Sequence, residues 1–297
     1  MKNKISLVTS WGNEYGTGHM HRMITLLWYF TTNNIFEVEL VSRYIPSFFP
    51  TEFLHLIKHK VSSDTDLIIR DMRNSTAEDI EQYDKKVVVI DDNGDGRLKA
   101  TKSIYLLPNL YYNDDVSKNM FIYGYNFIKS LVNLNNTIFK KDIDFTIYPV
   151  HNNKDYAKDI IKFLPKESKI AVLIHNDSYI IHNKEIKIIN NNEYASIILR
   201  TKTLISHFGI LLFEAYIASC KLITINPTNY CYLLSQLIKN EMLVINFGNL
   251  YTINKQTFID TISNLKLPDN AYISVDSIYS KLLISLEKFS NCIKELL

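Results

Sequence analysis

Glycine, cysteine and net charge are all scarce in this 297-residue sequence. Lys and Arg together number 33 and Asp and Glu number 31, so the formal net charge is only +2. Proteins that bind nucleic acid or an anionic membrane by charge usually carry a stronger basic excess, so the composition favours neither partner. The three cysteines, Cys220, Cys231 and Cys292, are odd in number and form no C-x-x-C motif. This excludes a disulfide framework and a cysteine-based zinc site, and it is typical of a reducing cytoplasm.

Long uncharged apolar runs are also missing. The most apolar region, residues 203–238, is interrupted by His207, Glu214 and Lys221, so no stretch reaches the roughly 18 residues that span a bilayer. The apolar run at residues 5–8 is too short for the core of a signal peptide. We therefore expect a cytoplasmic protein without a membrane span. A hydrophobic content of 46% with 22% charged residues is ordinary for a folded globular chain and excludes disorder.

Short β-branched runs alternate with segments of helical period over most of the sequence. Two successive runs of this alternation, separated by an Asn- and Lys-rich segment at residues 133–142, predict an α/β fold with two Rossmann-like domains and mostly parallel sheets. We expect one domain over residues 1–138 and a second over residues 139–273, followed by a helix from 274 to 297. Ligands of such folds bind at the loops that follow the carboxyl ends of strands.

The loop Gly16-Thr17-Gly18-His19 follows the first predicted strand and leads into a helix. Its glycines let the backbone approach a ligand closely, and the helix start turns unpaired N–H groups towards it. The helix dipole disfavours the cationic form of a histidine in the first turn, so His19 can act as a neutral base near pH 7. The alternative is a glycine-rich turn with a surface histidine, because G-x-G alone is a weak motif.

The acidic segment D-D-N-G-D-G at residues 91–96 follows a strand of four β-branched residues. It matches the first half of a calcium-binding loop, but Lys102 stands where the final glutamate ligand is required. We therefore interpret it as an acidic turn at the end of a strand, lining the ligand cleft, with Gly94 and Gly96 serving the turn.

Glu214 is the only formally charged residue between Lys202 and Lys221. A lone carboxylate in such a helix either binds ligand hydroxyls or lies on an exposed face. The apolar surroundings favour the first alternative, because a nearly apolar helix has little exposed face to offer.

Other motifs with chemical meaning are absent. The histidines share no ligand spacing with carboxylates, so no metal site and no cofactor is predicted. The patterns G-x-S-x-G, H-E-x-x-H and G-x-x-x-x-G-K-[ST] do not occur, which removes the common serine hydrolases, zinc proteases and P-loop enzymes.

The order of strand, G-x-G-H-x-x-R at residues 16–22, helix, and a later strand ending in Asp91-Asp92 resembles one known family. This family is the UDP-2,4-diacetamido-2,4,6-trideoxy-β-L-altropyranose hydrolases of pseudaminic acid biosynthesis, with the related spore-coat polysaccharide proteins. The Pro108-Asn109-Leu110 turn and Gly124-Tyr125 are further similarities. The match is collinear over nearly the whole chain and densest over residues 1–130. It implies a GT-B-like architecture with a cleft between two domains, and a C-terminal helix that packs back on the first domain.

The resemblance also implies a function. His19 would activate the water that attacks the anomeric carbon of a UDP-linked amino-deoxy sugar. UDP would leave against the start of the helix at Ile210, with Glu214 on the ribose. The implied substrate-binding residues of the first domain are Gly16, Thr17, Gly18, Arg22, Asp91, Asp92 and Tyr125. The implied nucleotide-binding residues of the second domain are Gly209, Ile210, Glu214 and Asn229.

The second half of the sequence departs from the family pattern. Residues 148–153 stand in place of a glycine-rich loop, His207 and Phe208 replace paired small residues, and Tyr230 replaces a glutamine. Only eight glycines in the chain leave few places where the backbone can approach a phosphate closely. Two alternatives to the hydrolase therefore stay open: a GT-B glycosyltransferase, in which an acceptor hydroxyl replaces water, and a non-catalytic nucleotide-sugar binding protein.

Overall fold

A computed structural model describes residues 2–10, 18–108, 120–149, 154–174, 179–182, 185–188, 193–249, 253–265 and 271–297. The chain divides into two compact units. The first unit comprises residues 1–128 together with 281–297, and the second comprises residues 129–280.

The first unit is built on a six-stranded parallel sheet. Its strands are β1 (Lys4–Thr9), β2 (Glu37–Val41), β3 (Ile57–Lys58), β4 (Leu67–Asp71), β5 (Lys86–Ile90) and β6 (Lys102–Ile104). The spatial order β3-β2-β1-β4-β5-β6 is that of the Rossmann fold. The central strands are buried on both faces, which explains why apolar residues predominate in them and do not alternate regularly with polar ones.

Helices α1 (Gly18–Thr32) and α2 (Ala77–Glu81) follow β1 and β4 in the first unit. In α1, the apolar residues spaced three and four apart are fully buried, as their period predicts: Met20, Met23, Leu27 and Phe30. The capping box of α2 uses Thr76 and Asp79. The sequence pattern Ser75-x-x-Glu78 predicts a capping box, but the observed pair lies one residue further along the chain. A proline near its start favours a helix over residues 50–59, but the structure has a 3-10 turn at Thr51–Leu56 that leads directly into β3.

The second unit contains a seven-stranded sheet in the order β11-β10-β9-β8-β12-β13-β14. Its strands are β8 (Ile143–Ile147), β9 (Ile170–Val172), β10 (Tyr179–His182), β11 (Glu185–Ile188), β12 (Thr201–Ser206), β13 (Lys221–Asn226) and β14 (Ile245–Asn249). The pairings of β10 are antiparallel and the others are parallel. A separate antiparallel pair joins β7 (Ile138–Lys140) to β15 (Tyr272–Ser274).

The remaining helices are α3 (Tyr125–Asn133), α4 (Lys154–Ile161), α5 (Tyr194–Arg200), α6 (Ile210–Ile217), α7 (Asn229–Leu237), α8 (Lys255–Ser263) and α9 (Val275–Lys294). The chain passes from one unit to the other within α3 and again within α9. The α/β class with mostly parallel sheets, predicted from the alternating pattern, is therefore confirmed. Among the helices of the described ranges, none is both long and apolar enough to cross a bilayer.

Candidate functional site

The carboxyl ends of β1, β4 and β5 meet at one edge of the first sheet. Thr9 at the end of β1 lies opposite Asp71 at the end of β4, and Asp91 directly follows β5. Helix α1 begins at Gly18 and carries His19 and Arg22, which lie on one face because they are three residues apart. Gly16 and Thr17 lie outside the described residues.

His19 is hydrogen-bonded to a carboxylate that the sequence analysis did not single out. Its Nδ1 lies 2.6 Å from Oδ1 of Asp71, and the two residues are 4% and 0% exposed. Asp71 accepts the Nδ1–H, so the tautomer with a lone pair on Nε2 is favoured. No described residue forms a hydrogen bond with Nε2 of His19. The arrangement is that of an oriented general base.

Arg22 holds Asp71 through two parallel hydrogen bonds. Its Nε donates to Oδ2 at 2.9 Å and its Nη2 donates to Oδ1 at 2.8 Å. The Nη1 group donates to Asp91, so one guanidinium links two carboxylates. Burial alone would raise the pKa of Asp71, but Arg22 and His19 outweigh this effect and hold the pKa below its ordinary value. Asp71 is therefore a carboxylate in the interior of the first unit.

Asp91 connects this cluster to the turn after β5. Its backbone adopts the left-handed conformation at φ 49°. Its Oδ1 accepts the backbone N–H groups of Leu106 and Leu107 at 2.7 and 3.0 Å, while Oδ2 accepts from Arg22. Both oxygens are engaged by the protein, so Asp91 positions Arg22 in the described structure.

Asp92 and the two glycines of the acidic turn pack against the start of α2. Oδ1 of the buried Asp92 accepts the backbone N–H groups of Ser75 and Gly94 at 3.0 and 2.8 Å. A Cβ on Gly94 would lie 2.1 Å from the carbonyl oxygen of Ser75, and one on Gly96 would lie 2.4 Å from that of Thr76. Close backbone approach within the protein explains both glycines. The described residues contain no cluster of three or more potential metal ligands.

Tyr125, predicted to bind substrate, lies at the start of α3. Its hydroxyl donates to Glu52 at 3.0 Å, and its ring contacts Phe53 and Trp28. Trp28 is nine residues beyond His19 in α1, which corresponds to about 13 Å along the helix axis. These contacts separate Tyr125 from the cluster around His19.

The predicted nucleotide-binding residues of the second unit follow β12 and β13, which are parallel neighbours. Gly209 precedes α6, and Ile210 is its first residue. The exposed Asn229 is the first residue of α7, which Thr228 caps. The Phe208 N–H donates to the buried Asn226 Oδ1 at 3.0 Å. This hydrogen bond links the loop after β12 to the end of β13.

Gly209 has no conformation that requires glycine, because its φ of 170° is extended backbone. A Cβ at this position would make only an ordinary contact with the His207 ring, at 3.8 Å. The surrounding protein therefore does not explain this glycine.

Glu214 is only 2% exposed, so the exposed-face alternative for this carboxylate is wrong. The hydroxyl of Tyr194 in α5 donates to Glu214 Oε2. Burial and then Glu214 raise the pKa of Tyr194 well above 10, and the same two causes raise that of Tyr148. Two neutral phenols therefore accompany the carboxylate. Neither tyrosine was predicted, and only folding brings them to Glu214.

The structure thus brings His19, Arg22 and Asp91 together, and it adds Asp71 to them. Asp92 and Tyr125 point to other parts of the first unit through their hydrogen bonds. A signal for Asp71 exists in the sequence, since it ends an apolar strand as Asp91 follows one. That any of these residues contacts substrate or nucleotide remains a prediction.

No protein-family model and no curated protein sequence matches the chain. Several solved structures match it over nearly its full length. The glycosyltransferase SnogD from Streptomyces nogalater has a TM-score of 0.56 at 9% identity, covering 100% of this chain and 99% of its own. S. aureus MnaA, solved with UDP, has a TM-score of 0.56 at 9% identity, covering 98% and 96%. A Listeria monocytogenes protein assigned as a UDP-N-acetylglucosamine 2-epimerase has a TM-score of 0.55 at 10% identity, covering 98% and 96%.

The TM-scores establish a shared fold, but sequence identities this low leave the activity open. The matches support the architecture that the resemblance implied, and they do not support the specific hydrolase family of pseudaminic acid biosynthesis. The chain has the GT-B fold.

Proposed function

We propose that this protein is an enzyme that transfers a sugar from a nucleotide-sugar donor to the hydroxyl of an acceptor, with His19 as the general base. The observation that carries the proposal is the buried pair of His19 Nδ1 and Asp71 Oδ1, 2.6 Å apart, at the ligand edge of a Rossmann sheet. The glycosyltransferase SnogD has the same fold, which makes transfer the first reaction to test.

In the proposed reaction, Nε2 of His19 accepts the proton of the acceptor hydroxyl as its oxygen attacks the anomeric carbon of the donor. The bond between that carbon and the diphosphate oxygen breaks, and the nucleoside diphosphate leaves. Asp71 stabilises the imidazolium through Nδ1–H, as a carboxylate does beside a catalytic histidine. Arg22 fixes the Asp71 carboxylate by its two hydrogen bonds, so the base is oriented before substrate binds.

The donor is proposed to bind the second unit. The first N–H groups of α6, at Gly209 and Ile210, suit the diphosphate because a helix start attracts negative charge. The buried Glu214 is an acceptor for ribose hydroxyls, and Asn229 begins the neighbouring helix. MnaA, which has the same fold, was solved with UDP, which favours a uridine nucleotide as the first to test.

Hydrolysis of the nucleotide sugar is the second candidate, favoured by the G-x-G-H-x-x-R segment at residues 16–22. It uses the same base and the same leaving group, and differs only in that water takes the place of the acceptor hydroxyl.

Nucleotide release from UDP-, GDP- and CMP-sugars, measured with and without a set of sugar and lipid alcohols, tests both candidates. Four proteins are compared: wild type, His19→Ala, Asp71→Asn, and Asp84→Asn as a control at an exposed aspartate. We expect nucleotide release to depend on an acceptor. It should fall about 10²- to 10⁴-fold in His19→Ala and Asp71→Asn and be unchanged in Asp84→Asn.

Equal release in water alone would replace transfer by hydrolysis. Full activity of His19→Ala would overturn the role of His19 in either reaction. Conversion of the donor sugar without release of nucleotide would overturn both candidates.

A further inference from the structure

The segment between β2 and the residues just after β3 holds an excess of positive charge. Residues 43–60 contain three basic residues, Arg43, Lys58 and Lys60, and one acidic residue, Glu52. The segment therefore has a net charge of +2 with histidines neutral. Since the whole chain is also +2, the rest of the sequence is neutral overall. Arg43, Lys58 and Lys60 are all exposed, so the segment presents positive charge at the surface although the net charge of the protein is small.

The segment is a compact loop whose two ends lie side by side. Val41 pairs with Lys58, and the N–H of Ser42 donates to the carbonyl oxygen of Lys58 at 3.3 Å. Phe49 and Phe53 are buried, and the Phe53 ring packs edge-on against Tyr125 of α3, so these side chains anchor the loop to the first unit. A loop closed at its base and anchored by buried side chains holds a defined shape. Arg43 consequently leaves β2 beside the strand that carries Lys58 and leads to Lys60.

Large apolar side chains project from the same loop. Tyr44 is 64% exposed, and Ile45 and Leu54 are each 46% exposed. Single exposed apolar residues are common on proteins. An aromatic and two aliphatic side chains among lysine and arginine in one short loop form the combination that enters the headgroup region of a bilayer while the cations contact anionic lipids.

We propose that residues 43–60, the docking loop, bind the protein to the surface of an anionic lipid bilayer. A lipid surface fits better than nucleic acid, because Ile45 and Leu54 gain nothing from a phosphate backbone, whereas acyl chains bury them. The proposed attachment is peripheral. It depends on charge and on shallow insertion together.

The docking loop begins at the edge of the sheet that carries the His19 cluster. Strand β2 is the direct neighbour of β1, and the two strands are parallel, so their carboxyl ends lie on the same side. Docking therefore brings that edge to the bilayer. If the proposed function holds, on which this step alone rests, the acceptor hydroxyl belongs to a membrane-embedded molecule.

Vesicle co-sedimentation of the full chain, without any donor, tests the docking loop. Vesicles of phosphatidylcholine are compared with an equal mixture of phosphatidylcholine and phosphatidylglycerol, at low and at high salt.

The charge variant carries Arg43→Gln, Lys58→Gln and Lys60→Gln. Its matched control removes three exposed charges from α9 by Lys281→Gln, Lys288→Gln and Lys294→Gln. The apolar variant carries Ile45→Ser and Leu54→Ser, and its control carries Leu98→Ser and Leu243→Ser at residues 72% and 82% exposed.

We expect the wild type to bind the anionic vesicles and to be released by salt. The charge variant should bind on the order of 100-fold more weakly, and the apolar variant about tenfold more weakly or worse. Both controls should bind as the wild type does. Circular dichroism of every variant shows that it is folded.

Three results would overturn the docking loop: no sedimentation of the wild type with anionic vesicles at low salt, equal binding to neutral vesicles, or equal losses in the control variants. Because no donor is present, these outcomes are independent of whether His19 catalyses sugar transfer.

Discussion

Arg22 and Asp71 form a two-pronged ion pair inside the first unit, with N–O distances of 2.9 and 2.8 Å. Both residues are almost completely buried, and Asp71 simultaneously accepts from His19. A buried pair of this kind adds little net stability compared with an apolar pair, but loss of one partner leaves an uncompensated charge. Its main effect here is geometric, since it fixes the carboxylate that orients the histidine.

Asp71→Asn should destabilise the protein and change its response to acid. Removing this carboxylate leaves Arg22 with Asp91 alone, so we expect the free energy of unfolding to fall by about 3 kcal/mol. The pKa of Asp71 is held below its ordinary value of 3.8. The stability it contributes is therefore complete above about pH 4 and is lost as the pH falls through the lower pKa of the folded state. Urea unfolding from pH 7 to pH 2 should show a shallower acid loss in the variant than in wild type. Parallel pH curves would contradict this account.

Arg22→Met and Asp71→Asn should not be additive. Each single variant leaves a buried charge without its main partner, whereas the double variant removes both charges of the pair at once. We expect the double variant to be roughly 1–3 kcal/mol more stable than the sum of the single effects predicts. Urea unfolding of all four proteins measures this coupling, and additivity would show that the pair is not coupled in solution.

Local sequence patterns predicted the framework of the first unit well. The burial of Met20 and Phe30 follows from helical spacing, and the buried strand at residues 87–90 follows from its β-branched composition. The meeting of His19 and Arg22 follows from their separation of three residues in one helix. These features depend on neighbours in sequence, so periodicity is enough to find them.

Features that depend on distant residues were missed. Asp71 lies 52 residues from His19 along the chain, and Tyr194 lies 20 residues from Glu214. Local sequence marks Asp71 only as the end of an apolar strand and does not show which residue it meets. The sheet order and the packing of helices bring these partners together. The antiparallel pairing of β10 was missed for a similar reason, since a short apolar run does not reveal strand direction.

Gly94→Ala and Gly209→Ala should have opposite consequences. A Cβ on Gly94 would lie 2.1 Å from the Ser75 carbonyl oxygen, so the turn must shift and we expect a loss of about 2–4 kcal/mol. A Cβ on Gly209 meets nothing closer than 3.8 Å, so its stability should change by less than about 1 kcal/mol. If Gly209 approaches a diphosphate, UDP affinity should nevertheless fall in that variant. Thermal unfolding and calorimetric titration with UDP separate the two effects, and unchanged affinity would remove Gly209 from the proposed nucleotide site.

The wild type should lose stability on mild acidification because of His21, and His21→Phe should not show this loss. The His21 ring stacks on Phe48 with centroids 4.5 Å apart, and burial lowers its pKa to about 4. The folded state therefore resists a proton that the unfolded chain accepts near pH 6.5, so stability falls as the pH drops from 6.5 towards 4. Phenylalanine keeps the stacking and cannot titrate. We expect the variant to retain roughly 2 kcal/mol more than wild type over this interval. Unfolding curves at pH 7 and pH 4.5 measure the difference, and equal slopes would show that His21 takes up its proton without cost.

Glu214→Gln and Tyr194→Phe distinguish a ligand-binding carboxylate from a structural one. Glutamine can still accept the Tyr194 hydrogen bond, so Glu214→Gln should unfold at nearly the wild-type urea concentration. If Glu214 accepts ribose hydroxyls, the affinity of Glu214→Gln for UDP should be about 10- to 100-fold lower than that of wild type, because hydrogen bonds to a charged acceptor are the stronger ones. Tyr194→Phe removes a donor to a buried carboxylate and should destabilise the protein by about 1–3 kcal/mol, with a smaller effect on UDP. The opposite pattern, with the affinity intact in Glu214→Gln and lost in Tyr194→Phe, would make the tyrosine hydroxyl the group that meets the nucleotide.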